Sequence, residues 1–243
     1  MRRRSASALV AALARTRVAG AVRPVVDRLV GSRLRVVRVR SGVARGALLE
    51  LDLTCEKAYW LGHYEPEVQA LLARLVRPGD LVYDVGGHLG FFSICAARLG
   101  ASVVAFEPSP GNAPRLRRNV ELNRLPIDVV EAAVWDGEQG AELVAGPSDS
   151  EWRVIAGSGV PTVTLDGFSA GRGDRPTLLK VDAEGAEVLV LAGAARLIAE
   201  TRPAIICELH SEEARAAVEA LLPGYHFEPV GHDWRIVAFP PSV

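Results

Sequence analysis

Leu81-Val82-Tyr83-Asp84-Val85-Gly86-Gly87-His88-Leu89-Gly90 sets the frame for the whole chain. An apolar run meets an acidic residue, then a glycine pair, then a third glycine, and Phe91 to Leu99 reads as a helix. That order predicts a strand, a tight turn and a helix. Glycine tolerates backbone conformations and close approaches that side chains forbid. A small polar ligand can therefore lie against the turn and the helix N-terminus. The next apolar run, Val103-Val104-Ala105-Phe106-Glu107, ends on a carboxylate 21 residues beyond Gly86. At that offset an acidic residue takes the hydroxyls of a bound ribose. The two strand ends together predict an adenosine-containing ligand on a parallel sheet.

A dinucleotide site is the main rival, and its fingerprint is Gly-x-Gly-x-x-Gly. The order here fits it poorly, and Asp84 at the strand end would repel a pyrophosphate. An acidic residue there suits a ligand with an ammonium or a hydroxyl. S-adenosylmethionine carries both, plus a sulfonium. A plain α/β turn with a capping Asp is the remaining reading.

The 243 residues suffice for one α/β domain with an N-terminal addition, and 49% are apolar, enough for a full core. No uninterrupted apolar run reaches the length of a membrane span. Cys55, Cys95 and Cys207 are scattered and form neither a disulfide framework nor a metal pattern, so a reducing, cytoplasmic setting is expected. Residues 1–40 hold eleven Arg and one Asp, leaving seventeen Lys and Arg against twenty-eight Asp and Glu in the rest. A nucleic-acid enzyme would more often place its basic face around the cleft, so no nucleic-acid partner is expected. The leader superficially has signal-peptide features, but Arg15 and Arg17 cut its apolar region short. An amphipathic helix from Ser7 to Val30 is expected instead, docked on the body or lining a dimer interface, which leaves a homo-oligomer open.

Along the chain, Leu34–Val39 and Ala47–Leu53 predict a hairpin. Asp52 to Tyr64 is a polar, aromatic link that would either pack on the surface or cap the pocket. Pro66 to Leu75 keeps a helical period through Val68, Leu71, Leu72 and Leu75. Further core strands are expected at Ser102–Phe106, at Ile127–Glu131 continuing toward Val134, at Leu178–Asp182 and at Ala204–Glu208. Glu142–Val144 with Trp152–Ile155 suggests a small hairpin whose loop holds Asp149, Ser150 and Glu151. Thr162–Asp166 reads as extended, Ala186–Ile198 as one helix, and Ser211 starts another. His226–Val230 and Trp234–Ala238 flank a turn at Gly231-His232-Asp233. Strands that alternate with helices and finish in an antiparallel pair predict a doubly wound, mostly parallel α/β sheet.

Several ordered pieces between Leu61 and Ala238 resemble the FkbM-like family of S-adenosylmethionine-dependent O-methyltransferases. They are Gly62-His63-Tyr64-Glu65, the Tyr83–Gly90 loop, Phe106-Glu107-Pro108-Ser109-Pro110 with Asn112, Ala132-Ala133-Val134-Trp135-Asp136, Leu179–Glu187 with Leu191, Gly193 and Ala194, and Glu208-Leu209-His210. The resemblance implies a Rossmann-like class I methyltransferase. Residues 66–243 would be the catalytic domain, and residues 1–65 an extension of basic helix, hairpin and cap. The family usually has Ala-Asn after the first loop glycine, where this chain has Gly87-His88. His88 either adjusts how the methionine end or a nearby substrate is held or is a plain loop histidine.

The implied cofactor set is Tyr64, Asp84, Gly86, Gly87, His88, Gly90, Glu107, Ala133 and Val134. Asp84 and the turn would face the methionine moiety, Glu107 the ribose, and Ala133 with Val134 the adenine. Asp182, Glu208 and His210 are the expected catalytic residues. Two carboxylates and an imidazole would hold Mg²⁺ or Mn²⁺ and lower an alcohol's pKa. Without metal, His210 would be the base, or Glu208 and His210 would form a network at a helix start. Glu184 and Glu187 are further candidates, Glu187 as a helix cap or a partner of Lys180. The expected acceptor is a small molecule or oligosaccharide. An acidic body with Trp60, Trp152 and Trp234 favours a saccharide hydroxyl, and a polyketide or other small-molecule hydroxyl is the alternative. A non-catalytic cofactor-binding or scaffold protein is the reading from a different class.

Overall fold

The computed structural model describes residues 34–137, 140–145 and 152–241. The helix expected over Ser7–Val30, the loop residues Asp149, Ser150 and Glu151, and the Trp152 side chain lie outside this description.

The described chain begins with a hairpin, β1 (Leu34–Arg38) and β2 (Leu48–Asp52), followed by α1 (Lys57–Leu61) and α2 (Pro66–Leu75). Strand and helix then alternate through β3 (Leu81–Val85), α3 (Phe91–Arg98), β4 (Ser102–Phe106), α4 (Asn112–Asn123) and β5 (Ile127–Val130). An excursion carries β6 (Ala133–Val134), β7 (Ala141–Ala145), β8 (Trp152–Ala156), β9 (Thr162–Val163) and α5 (Leu165–Arg172). The chain returns through β10 (Leu178–Val181), α6 (Glu187–Ala192), α7 (Ala195–Thr201), β11 (Ala204–Glu208), α8 (Glu212–Leu221), β12 (His226–Val230) and β13 (His232–Phe239).

One seven-stranded sheet, in the order β12-β13-β11-β10-β3-β4-β5, forms the middle layer. The five strands from β11 to β5 are parallel, and β13 runs antiparallel to both β11 and β12. This is the doubly wound sheet with a terminal antiparallel pair that the alternation predicts. From β3 the chain winds outward to β5 and then returns to β10 on β3's other side. That reversal opens a crevice at the C-terminal ends of β3 and β10, where open α/β sheets bind ligands.

The central strands are apolar because both sheet faces are covered. Val82 and Val103 join a core with Ile94 of α3 and Leu72 of α2, whereas Tyr83, Val85 and Val104 join an opposite core with Val190 and Ile205. The hairpin shares the first core through Leu49 and Leu51. Its edge strand β2 is also held by α4. The amide of Glu50 donates to Asn119 Oδ1 at 2.7 Å and that of Leu48 to Asn123 Oδ1 at 2.8 Å. Each pairing satisfies a strand N–H that would otherwise need water.

Three local expectations are corrected. Thr162–Asp166 is not one extended piece. Thr164 accepts a hydrogen bond from the Gly167 amide and starts α5, which buries Leu165. Such a cap satisfies one of the orphan donors of a helix start. The helix expected over Ala186–Ile198 is two, α6 and α7. They part near Gly193, where a Cβ would lie 2.1 Å from the Trp135 carbonyl oxygen. The strand after Ile127 stops at Val130, and Ala133–Val134 pairs with β9 away from the main sheet. By contrast, the Ser211 side chain accepts from the Ala214 amide and starts α8 where the sequence places it.

Candidate active site

A cavity of about 240 Å³ lies at the reversal between β3 and β10. One wall is the turn Gly86–Leu89, a second is Phe106, Glu107, Pro108 and Asn112, and a third is Ala132–Val134. Lys180, Asp182, Ala183 and Glu184 add to the lining, as do Tyr59 and Tyr64 from the extension. Tyr64, Gly86, Gly87, His88, Glu107, Ala133 and Val134 of the expected cofactor set all border this cavity.

Asp84 and Gly90 do not border it. Asp84 and Lys180 are register partners on parallel strands, so their side chains leave the same face of the sheet. Asp84 is 2% exposed. Its Oδ2 accepts from Ser93 Oγ at 2.5 Å, and its Oδ1 lies 3.4 Å from Lys180 Nζ. It therefore supports the cavity through Lys180, which lines it. Gly90 adopts φ +88° at the start of α3 and packs toward Leu116, serving the turn's shape.

The amides of Gly86 and Gly87 both donate to the Phe106 carbonyl oxygen at 3.0 Å, and that of His88 donates to Glu107 Oε2 at 2.7 Å. With these amides committed, what Gly86 and Gly87 offer a ligand is the absence of side chains. Burial, with Arg115 adding to it, holds the His88 imidazole below its ordinary pKa. The second oxygen of Glu107 accepts from the Ser109 amide at 2.9 Å. Burial nevertheless pushes the Glu107 carboxyl up to about 7, against the pull of the Ser109 and His88 amides.

Also in the lining, Asp182 follows the end of β10, and Glu184 sits in the next turn with φ +49°. Asp182, Glu184 and His210 present ligand atoms that all lie within 4.8 Å of one another. His210 Nδ1 is 3.0 Å from Glu187 Oε1, and its Nε2 is 3.4 Å from Glu184 Oε2. Bonds to Glu184 and Glu187 raise the imidazole to about 10, which keeps it cationic at neutral pH. Glu187 is fully buried and accepts from the amides of Ala183 and Gly185. It braces this turn and does not partner Lys180.

Glu208 is not part of that cluster. Its register partner across β11 and β13 is Arg235, which donates from Nε to Glu208 Oε2 at 3.1 Å and also from Nη2. The expected approach of Asp182 and Glu208 is therefore replaced by two separate pairings, Glu208 with Arg235 and Asp182 with Lys180. Burial alone would lower the Lys180 ammonium, but Asp182 and Asp84 outweigh it and hold it above its ordinary value.

The sequence reading missed Lys180 as a cavity residue and reached Tyr59 only as part of the aromatic link that would cap the pocket. Lys180 is the one charge inside the otherwise apolar β10, and that was its available signal. Tyr59 belongs to the aromatic cluster before α2, where its ring stacks on Tyr64 with centroids 4.0 Å apart.

The sequence profile of the methyltransferase FkbM domain matches residues 84–229, more than half of the chain. The hexuronic acid methyltransferase AglP of Haloferax volcanii is 28% identical over 159 residues, covering 60% of this chain and 63% of that protein. The 31-O-demethyl-FK506 methyltransferase FkbM of Streptomyces tacrolimicus is 41% identical over 63 residues, covering 25% of this chain and 24% of that protein. The crystal structure of methyltransferase FkbM from Methylobacillus flagellatus KT superposes with a TM-score of 0.50 at 19% identity, over 71% of this chain and 54% of that one. The chain spans less than two thirds of the length of each of these relatives.

Proposed function

The chain belongs to the methyltransferase FkbM domain family, and on that footing we propose that it transfers a methyl group from S-adenosylmethionine to a small-molecule hydroxyl. The observation that carries this reading is one cavity lined by Glu107, Asp182 and Glu184, the last two clustered with His210. S-adenosylmethionine, when bound, supplies a sulfonium methyl to an oxygen nucleophile. Glu107 would accept from the ribose hydroxyls, and Ala133 with Val134 would line the adenine. Tyr59 and Tyr64 would exclude water from the cavity. Holding acceptor and methyl in line is itself a large part of such a rate gain. Residues 66–243 would carry this site, and residues 1–65 would include its cap.

A hydroxyl of a polyketide-type acceptor is the preferred reading. The family relative that acts on 31-O-demethyl-FK506 supports it. So does the loss of one expected sugar platform, because the Arg40 guanidinium lies 5.2 Å from the Trp60 ring centroid. A saccharide hydroxyl is the second reading, favoured by the hexuronic acid relative and by Trp234, which is 45% exposed beside the end of β11. Among the described residues no helix is long and apolar enough to cross a membrane. The three free cysteines support a cytoplasmic site of action.

Two carboxylates and an imidazole within 4.8 Å suit Mg²⁺ or Mn²⁺, so Asp182, Glu184 and His210 would hold the ion. When bound, it would act as a Lewis acid on the acceptor oxygen. Glu208 leaves the ligand set because Arg235 holds its carboxylate. Ligation and a metal-free base role both need the neutral imidazole of His210, so an ion bound there would displace the proton that Glu184 and Glu187 hold on the ring.

The test is transfer of isotopic methyl from S-adenosylmethionine to a panel of polyketide hydroxyls, glycans, RNA and protein, before and after chelation. Label is expected in a hydroxyl-bearing small molecule, to be lost with chelator and restored by Mg²⁺. Label found only in RNA or protein would contradict the acceptor class. Full turnover in metal-stripped protein would contradict the ion.

A further inference from the structure

We propose that Arg235 is a positioning residue that latches the head of α2, and with it Tyr64, onto the C-terminal edge of the sheet. The proposal rests on the methyltransferase reading of the cavity that Tyr64 borders. Arg235 is 4% exposed. A charge buried to that degree persists only when it is paired. Glu208, its neighbour on β11, supplies one partner within the sheet. The other partner is Glu65 Oε2, 2.9 Å from Arg235 Nη2, and it comes from the segment that precedes the sheet.

Glu65 holds a left-handed backbone, φ +42°, at the start of α2. A non-glycine residue adopts that conformation rarely and needs compensation. The adjacent Tyr64 stacks on Tyr59 and packs against Phe91 and Phe92, all of which line the cavity. Gln69, itself 3% exposed, donates to the carbonyls of Tyr64 and Gly62 and accepts from the Val43 amide. Those bonds shape the segment internally. The Arg235–Glu65 pair ties it to the strands that carry Glu208 and, one strand further, Lys180 and Asp182. A segment that supplies two aromatic walls is thereby fixed relative to the residues it faces.

The decisive variant is Glu65→Gln, which leaves Glu208 to neutralise Arg235 and so avoids an unpaired buried charge. Hydrogen exchange over residues 57–64 in the ligand-free chain is expected to quicken about ten-fold, and KM for S-adenosylmethionine to rise by a similar factor. The kcat at saturating cofactor and the melting temperature are expected to stay close to wild type. Arg235→Lys keeps a cation between the two carboxylates and is expected to retain most of the protection. Unchanged exchange and unchanged KM in Glu65→Gln would overturn the latch. So would a joint fall of kcat and melting temperature without local exchange, which marks a merely structural pair. If the wild-type chain showed no cofactor-dependent turnover, the methyltransferase reading would fail, while the exchange measurement would still judge the latch.

Discussion

Gly86→Ala is expected to destabilise the protein by about 4 kcal/mol, the largest loss of any single methyl addition in the turn. A Cβ at Gly86 would lie 1.9 Å from the Asp182 carbonyl oxygen and 3.0 Å from its carbonyl carbon. Both are backbone atoms, so no side-chain rotation relieves the clash. The residue also has φ +80°, which an L side chain resists. Relief requires β3 and β10 to part at their C-terminal ends, where Asp182 donates its amide to Val85. Urea unfolding followed by far-UV circular dichroism measures the loss, and cofactor binding should disappear with it. Gly185→Ala is the control. It has φ +99° with nothing within 4 Å of its Cβ position, so only conformational strain of about 1–2 kcal/mol is expected. Equal losses in the two variants would contradict the steric argument.

Asp182→Ala is expected to lower kcat by about 10²–10⁴-fold, the range in which positioned proton-handling and charge-stabilising groups act. Affinity for S-adenosylhomocysteine should change only a few-fold, because the carboxylate proposed to hold the ribose, Glu107, is left intact. Lys180 keeps Asp84 as a partner at 3.4 Å, so the site retains an ion pair. What the variant loses is one member of the Asp182, Glu184 and His210 cluster. Steady-state turnover with an acceptor found in the panel, paired with calorimetric binding, separates the two effects. A kcat within three-fold of wild type would reduce Asp182 to a counter-ion for Lys180.

The parts of the site legible in the sequence are those carried by a strand end and its following turn. Gly86, Glu107 and Asp182 each emerge within a few residues of an apolar run, so strand periodicity alone puts them on one rim. The excursion pieces Ala133 and Val134 were legible only through the family resemblance. What the sequence concealed depends on partners set by register. Glu208 looked free to meet Asp182, but β13 folds back antiparallel and places Arg235 opposite it. Asp84 looked ligand-facing, but parallel pairing of β3 with β10 sets it beside Lys180. Glu184, a further candidate in the sequence, takes the place expected of Glu208 in the cluster from a left-handed backbone. In the fold, the break near Gly193 was hidden because it answers a contact with Trp135, distant in sequence.

Calorimetric titration of the wild-type chain with S-adenosylhomocysteine at pH 6 and pH 8 tests the central claim most directly. In the proposed site ribose hydroxyls would donate to the ionised Glu107 carboxylate, so binding would favour the deprotonated form. With that carboxyl at about 7 before ligand arrives, it is mostly protonated at pH 6 and mostly ionised at pH 8. The account predicts micromolar affinity at pH 8, about −8 kcal/mol, weakening roughly five- to ten-fold at pH 6. Absence of binding at both pH values by folded protein, or binding of NAD in its place, would contradict it.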